Sequence, residues 1–113
     1  MSSREISVFV TTRVEGFHYW ESAPKEVEFL RHPHRHEFHI RAEFEVSHTD
    51  RDIEFILAKR VVETYFNENP IKGKVSCEDI GISLGAFLSE KDFPVRSVEV
   101  SEDGENGAVI RWN

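Results

Sequence analysis

Histidines are concentrated in one short run of this sequence. Four of the six lie there and a fifth precedes them: His32, His34, His36, His39 and, earlier, His18. Because side chains alternate along a β-strand, His34 and His36 point to the same side, where two imidazoles can converge on one ion. An antiparallel neighbour brings His18 opposite that pair at a strand spacing of about 5 Å. Three neutral imidazoles with an open fourth position form a catalytic-type zinc arrangement.

The same histidines have other interpretations. His32 shares the strand parity of the pair and can replace one of them as a ligand, although Pro33 stands beside it. Histidines in a polar loop are also simply solvated or bonded to backbone groups, and a His-x-His pair alone is a weak pattern. His39 faces the opposite side and His48 lies beyond the strand end. We therefore interpret His39 and His48 as surface residues.

Two strands with alternating polarity carry the histidines. The first is predicted at residues 6–20, with apolar positions spaced by two and a bulge at Gly16. The second is predicted at residues 37–47 and places polar side chains on one face. The segment 19–33 between them contains two prolines and no sustained period, so we predict a loop. The apolar face of the second strand consists of Phe38, Ile40, Ala42, Phe44 and Val46.

Two helices follow the strands. The first is predicted at residues 53–66, with Asp50 or Asp52 as its N-cap. The second is predicted to open at Ser76, which is followed by Asp79 at a capping-box spacing. The apolar stripe of the first helix is predicted to be Ile53, Ile56, Leu57, Val61 and Phe66.

The chain closes with two more strands, predicted at 95–100 and 108–112 and joined through the Gly- and Asn-containing segment 102–107. The element order is strand, strand, helix, helix, strand, strand. It predicts an α+β fold in which both helices cover the apolar face of a four-stranded antiparallel sheet. The other face is too charged to be a core, since it carries Arg41, Glu43 and Glu45.

Composition limits the classes of function. A chain of 113 residues with 39% apolar residues suits one domain spanning residues 1–113, and a small domain with polar strand faces favours self-association. The formal charge of −7 argues against a nucleic-acid partner, because phosphate binding needs clustered Lys and Arg. Cys77 is the only cysteine, so an intramolecular disulfide is impossible and a reducing cytoplasm is expected. The start at Met1 lacks the apolar stretch of a signal peptide, and no run is long enough to span a bilayer.

In these motifs the chain resembles the 6-pyruvoyltetrahydropterin synthase and 6-carboxytetrahydropterin synthase family, the enzymes of pterin and queuosine-precursor synthesis. That family ligates zinc with a His on its first strand and a His-Gly-His that opens its second, similar to His18 and to His34-Arg35-His36. Its later motifs are an Asp-Phe pair followed by a Lys, a Pro-Thr-x-Glu-Asn helix start and a Val-x-Val-x-Glu strand end. The similar residues here are Glu54-Phe55 with Lys59, Ser76-Cys77-Glu78-Asp79 and Val98-Glu99-Val100-Ser101-Glu102. The resemblance covers nearly the whole chain in the right order.

The resemblance implies a T-fold, or tunnelling fold, with zinc bound by His18, His34 and His36. It also implies a homo-oligomer, commonly a hexamer of two trimers with sites between subunits, and a pterin- or purine-like heterocycle as ligand. Glu102 is the expected anchor of that heterocycle, because its two oxygens can accept from adjacent N–H groups of an aminopyrimidinone edge. A solvated acid in a turn is the alternative interpretation of Glu102.

The departures from the family concern proton transfer. The family's catalytic Cys precedes the His pair by four or six positions, which here are Leu30 and Glu28. Leu cannot transfer protons, whereas Glu28 can act as a base if the loop delivers it to the metal. Cys77 maps to a helix start, which can lower a thiol pKa, but does not replace the missing thiol. The family's Asp-His pair between the helices has no counterpart here. Three functions therefore stay open: a divergent zinc-dependent lyase, a binding protein that does not turn its ligand over, and a purely structural oligomer.

Overall fold

The computed structural model describes residues 3–113. Met1 and Ser2 lie outside the described residues, and they begin the stretch in which no signal peptide was expected. The chain folds as an α+β structure with a curled, mixed sheet. Its strands are β1 (Ser7–His18), β2 (His34–Glu45), β3 (Lys72–Gly73), β4 (Val95–Glu102) and β5 (Asn106–Arg111), and its helices are a 3₁₀ helix (Lys25–Arg31), α1 (Phe55–Glu68) and α2 (Cys77–Glu90).

The sheet has five strands in the order β3-β1-β2-β4-β5, and all neighbours are antiparallel except β3, which runs parallel to β1. The prediction of a four-stranded antiparallel sheet was wrong in this respect. The link between the helices pairs with the end of β1, where the Phe17 N–H donates to the Ile71 carbonyl over 3.1 Å. Gly16 permits this approach, because a Cβ there would lie 2.6 Å from the Cβ of Ile71.

The pairing of β1 with β2 is unbroken from Ser7 opposite Glu45 to His18 opposite His34. The predicted bulge at Gly16 is therefore wrong. The apolar positions change parity near Gly16 because Phe17 lies on the outer face, where it is 47% exposed. Without a bulge, His18 stays on the face of β1 that also carries Val10 and packs against the helices.

Three strands, β2, β4 and β5, extend beyond a predicted end, and the extensions of β2 and β4 matter for the site. β2 begins at His34 rather than at residue 37, since each of its first residues already has a partner on β1. β4 continues to Glu102, which pairs with Asn106, so that only residues 103–105 form the connection. Backbone pairing thus fixes the direction of side chains that the sequence pattern left in loops.

The core lies between the sheet and the two α-helices. The predicted apolar face of β2 is confirmed over Phe38, Ile40, Ala42 and Phe44, each at most 1% exposed. Burial of each large side chain contributes roughly 1.5–3 kcal/mol, so this core rather than the histidines accounts for most of the folding free energy. The face that carries Arg41 and Glu43 is polar, as predicted, and the helices lie on the other side.

The predictions for the two helix starts had different outcomes. The capping box of α2 is confirmed, because the Asp79 N–H donates to Ser76 Oγ over 3.0 Å. The cap of α1 is Glu54 instead of Asp50 or Asp52, since its carboxylate accepts from the first free N–H groups of the helix. Asp52 is engaged elsewhere, accepting from the backbone N–H of Ser47 over 2.8 Å.

The buried stripe of α1 also differs from the prediction. Ala58, Val62 and Phe66 face the sheet at four-residue spacing, whereas Ile56 and Leu57 are each 59% exposed. The shift follows from the orientation of the helix against β1, which the apolar residues alone did not determine. No helix within residues 3–113 is long and apolar enough to cross a lipid bilayer. The segment 19–33, predicted as a loop, contains the 3₁₀ helix.

Candidate metal centre

Four side chains meet at one end of the helix-covered face of the sheet. One ligand atom from each lies within 4.8 Å of all the others, and the residues are His18, His34, His36 and Glu102. The ring centroids of the three histidines are 4.6, 5.3 and 5.1 Å apart, so the imidazoles form a nearly regular triangle. Imidazole nitrogens and a carboxylate oxygen are common ligands of transition metals. This group could hold a metal ion.

Strand pairing explains why these residues meet. His18 ends β1 and lies opposite His34, the first residue of β2, while His36 lies opposite Gly16. Glu102 ends β4 and lies opposite Phe38, so its side chain is on the same face as His34 and His36 of β2. The predicted convergence of His18, His34 and His36 is therefore present in the structure, and Glu102 joins them.

Each imidazole has an acceptor at its Nδ1 atom. His18 Nδ1 lies 2.8 Å from the Val75 carbonyl and His34 Nδ1 lies 2.8 Å from the His32 carbonyl. Because a carbonyl only accepts, Nδ1 carries the proton in both rings and Nε2 keeps its lone pair. Ligating histidines typically donate their second ring N–H to such outer partners, which sets the tautomer and the ring orientation.

Asp103 provides the acceptor at Nδ1 of His36. Its Oδ2 lies 2.8 Å from His36 Nδ1, and its Oδ1 accepts from the Glu37 N–H over 3.0 Å. The hydrogen bond from that backbone N–H, followed by the one from His36, lowers the pKa of Asp103 below its ordinary value. The carboxylate is thus ionised and accepts a hydrogen bond from the Nδ1–H of His36. A left-handed turn, with φ of 57° at Asp103 and 73° at Gly104, brings it there.

The Nε2 atoms of His18 and His36 both lie close to Glu102. Among the described residues, His18 Nε2 and His36 Nε2 are buried and lack a hydrogen-bond partner. Glu102 Oε2 lies only 2.9 Å from His18 Nε2 and 3.6 Å from His36 Nε2, but the first contact is out of line for a hydrogen bond and the second is too long. Buried polar atoms rarely remain unsatisfied in native proteins, and a bound cation would satisfy both.

The surroundings of the site combine an apolar floor with a polar rim. Phe38, which is fully buried, packs edge-on against His18 and His36 at centroid distances of 5.2 and 5.7 Å. Glu102 turns its second oxygen, Oε1, toward the rim, where it accepts from Asn106 Nδ2 over 3.1 Å. All four candidate ligands are therefore oriented by a second group.

The other sequence-level candidates lie outside this group. Glu28 is on the exposed 3₁₀ helix, where Arg31 Nη1 lies 3.9 Å from its carboxylate, so its role as a base stays a prediction. Cys77 is buried, and burial together with the charges of Glu102 and Glu78 raises its pKa to about 11. The expectation that the helix start lowers the pKa of this thiol was wrong, because loss of solvent outweighs the helix field.

Three histidines have other surroundings. His32 contributes its carbonyl rather than its ring to the contacts of the site. His39 lies on the polar face, with Nε2 3.0 Å from Glu37 Oε1, and His48 is exposed beside Asp52. These positions agree with the interpretation of His39 and His48 as surface residues.

Sequence reasoning missed the outer partners of the ligands. Asp103 and Asn106 were placed in a connecting segment and given no role at the site, and the Val75 carbonyl was not considered. The Asp103-Gly104 dipeptide was a signal for a tight hairpin turn beside Glu102, and such a turn would have brought both polar side chains near the strand end.

Comparison with known proteins found no matching family model and no matching curated protein sequence. The geometry of the site therefore carries the functional argument.

Proposed function

We propose that this protein is a divergent member of the 6-pyruvoyltetrahydropterin synthase and 6-carboxytetrahydropterin synthase family, with a T-fold subunit, that binds zinc and a pterin- or purine-like heterocycle. One observation carries the metal half of the proposal. Three imidazoles have outward acceptors at Nδ1, and one ligand atom from each lies within 4.8 Å of the other two and of a Glu102 oxygen. Imidazole and carboxylate donors fit zinc, which would polarise a carbonyl or hydroxyl of a bound ligand.

The heterocycle half of the proposal depends on Glu102. Its carboxylate is only 24% exposed and stands at the rim of the metal group, so a ligand bound there would be next to the zinc. A carboxylate can accept two N–H groups from an aminopyrimidinone edge, which is shared by pterins and guanine-type purines. Calorimetric titration of the zinc-loaded protein with a pterin tests this part. Glu102→Gln, kept loaded through its three histidines by excess zinc, should show no heat of pterin binding.

A ligand-binding or sequestering protein without turnover is the second candidate. Two observations favour it over a lyase. The thiol of Cys77 is buried with a raised pKa, and the carboxylate of Glu28 is on an exposed helix outside the metal group. If the protein is a lyase, Glu28 or a zinc-bound water is the proton carrier. Incubation with a reduced pterin that carries a side chain at position 6 separates the two: a new pterin product supports the lyase, and unchanged pterin that co-purifies with the protein supports the binding function.

Metal content is the first measurement for the proposal. Elemental analysis of untagged wild-type protein should give about one zinc per chain, and the double variant His34→Ala, His36→Ala should have lost it. His39→Ala is the matched control, since this histidine is on the same strand but on the opposite face. Wild-type protein without any transition metal, before and after incubation with zinc, would contradict the metal site.

Self-association is part of the same proposal. The polar face of the sheet would suit the wet interior of a barrel built from several copies, as in the family, with the helices outside. The cytoplasm is the proposed compartment. Analytical ultracentrifugation of purified protein tests the assembly: a hexamer or trimer supports it, and a monomer at micromolar concentration contradicts it.

A further inference from the structure

A bound cation accounts for the close contact between Glu102 and His18. In the neutral tautomer of His18 that donates Nδ1–H to the Val75 carbonyl, Nε2 presents a lone pair. Glu102 presents a carboxylate oxygen, which is also an acceptor, only 2.9 Å from that atom and out of line for a hydrogen bond. Two acceptors at this distance repel each other unless a cation lies between them. A second acceptor pair, Glu102 Oε2 and His36 Nε2, is 3.6 Å apart.

These separations agree with ligands of one ion. Zinc binds nitrogen and oxygen donors at about 2.0–2.1 Å, so two donors on a tetrahedral ion are roughly 3.3 Å apart. The two distances of Glu102 Oε2, 2.9 and 3.6 Å, lie on either side of that value. Glu102 is therefore placed as a member of the ligand set and not merely near it.

The rest of the carboxylate is held in the manner of a monodentate ligand. Oε1 turns away from the histidines and accepts from Asn106 Nδ2 over 3.1 Å. Asn106 is the β5 residue paired with Glu102, so the hairpin itself presents the amide to the carboxylate. Asp103, which follows Glu102 in the chain, orients His36. One hairpin thus carries a ligand and the outer partners of two ligands.

We infer that Glu102 is the fourth metal ligand of the resting protein and that Asn106 holds it there, an inference that rests on the proposed metal binding. Closed sets of four protein ligands are typical of structural zinc sites, whereas catalytic sites use three and keep one position open. The resting metal would then have no free position. A heterocycle recognised by Glu102 must first take this carboxylate from the metal, which makes ligand binding and opening of the metal site the same event.

Cobalt(II) substitution with azide as a probe tests the inference. Cobalt(II) reports coordination number through its visible absorption, and azide binds to an open position. We expect wild-type protein to show the intense absorption of four-coordinate cobalt, unchanged by azide. Glu102→Gln should bind cobalt at least 10-fold more weakly, and azide should change its spectrum. Asn106→Ala, which keeps all four ligands, should show a partial azide response and a 10- to 100-fold loss of cobalt affinity.

Glu105→Gln is the matched control, because it neutralises an exposed carboxylate in the same turn; it should behave like the wild type. An azide response of the wild type equal to that of Glu102→Gln would overturn the inference while leaving the metal site intact. Failure of the wild type to bind cobalt or zinc at all would overturn the proposed function, and the inference with it. Far-UV circular dichroism shows that each variant is folded.

Discussion

The two faces of the sheet carry two histidine–carboxylate clusters made of similar residues. On the helix-covered face, His36 lies beside Asp103 and Glu102; on the polar face, His39 lies beside Glu37. Their bonding differs. His39 directs its Nε2 to Glu37. The guanidinium of Arg13 also lies 3.7 Å from Glu37, so the charge of this carboxylate is neutralised by its neighbours. Similar residues thus meet on both faces, but within residues 3–113 only His18, His34, His36 and Glu102 bring ligand atoms within 4.8 Å of one another in a group that could hold a metal.

Exposure separates the clusters as well. On the polar face, Arg41 lies 2.8 Å from Glu99 and stacks over Phe9 at 4.2 Å, in contacts that water can screen. His18 is 8% exposed and packs on Phe38, so an unpaired atom there has no easy access to water. Leaving such polar groups without partners therefore costs more folding free energy on the helix-covered face, and a bound ion would remove more of that cost.

Metal removal should give the largest difference between the clusters. A ligand at 100 times its dissociation constant stabilises the folded state by about 2.7 kcal/mol, so a chelator should lower the melting temperature by about 10 °C or more. Differential scanning calorimetry measures this. His39→Ala should keep the full shift, and the His34→Ala, His36→Ala double variant should show none. An equal shift in both variants would mean that the metal stabilises the protein elsewhere.

Asp103→Asn should give the next largest effect. An Asn side chain can still accept from His36 but carries no charge, so zinc affinity should fall about 10- to 100-fold. Competition with a chromophoric chelator measures the affinity. Glu37→Gln makes the corresponding change beside His39 and should leave zinc affinity unaltered. Equal losses in the two variants would indicate that net charge, rather than orientation of His36, controls binding.

Lowering the pH should destabilise the folded protein through protonation of Glu43 on the polar face. Hydrogen bonds from Ser7 and then Ser97 lower the pKa of Glu43 below its ordinary value of 4.5. A carboxyl with a lowered folded-state pKa contributes stability that is complete above its unfolded-state value and is lost as the pH falls through the folded-state value. Ser97→Ala removes a 2.8 Å bond and should cost about 1 kcal/mol near pH 7.

The difference between Ser97→Ala and wild type should shrink as the pH falls below 4.5 and through the lowered folded-state pKa of Glu43, because the protonated carboxyl no longer gains from the bond. Urea unfolding at several pH values measures it. Ser101→Ala, on the same face of β4, is the control. A Ser97→Ala deficit that stays constant down to about pH 3 would attribute the loss to packing instead of charge.

Cys77 should give the smallest effect. Its pKa of about 11 and its burial leave little thiolate near neutral pH. A chromogenic disulfide reagent should therefore react slowly with the folded protein and at once in urea. Cys77→Ser should keep the zinc content of the wild type. Loss of zinc in that variant would indicate that the thiol of Cys77 contributes to metal binding.

Some features of the fold were predictable because they depend on neighbouring residues. The alternation of β2 identified the face of Phe38 and Ile40, and the Ser76–Asp79 spacing identified the start of α2. The α+β class followed from the order of such segments. The cap of α1 was mispredicted because three acids precede the helix, and the choice depends on what else each one bonds; Asp52 binds Ser47.

The candidate site divides in the same way. The sequence alone determined that His34 and His36 point to one side and that a strand neighbour can add His18, since alternation is a property of the extended backbone. Only the tertiary structure decided which oxygens orient the rings and where Glu102 stands. His18 and Val75 are 57 residues apart, and His36 and Asp103 are 67 apart. Contacts over such separations depend on strand register and on the turn that ends β4, which no local pattern specifies.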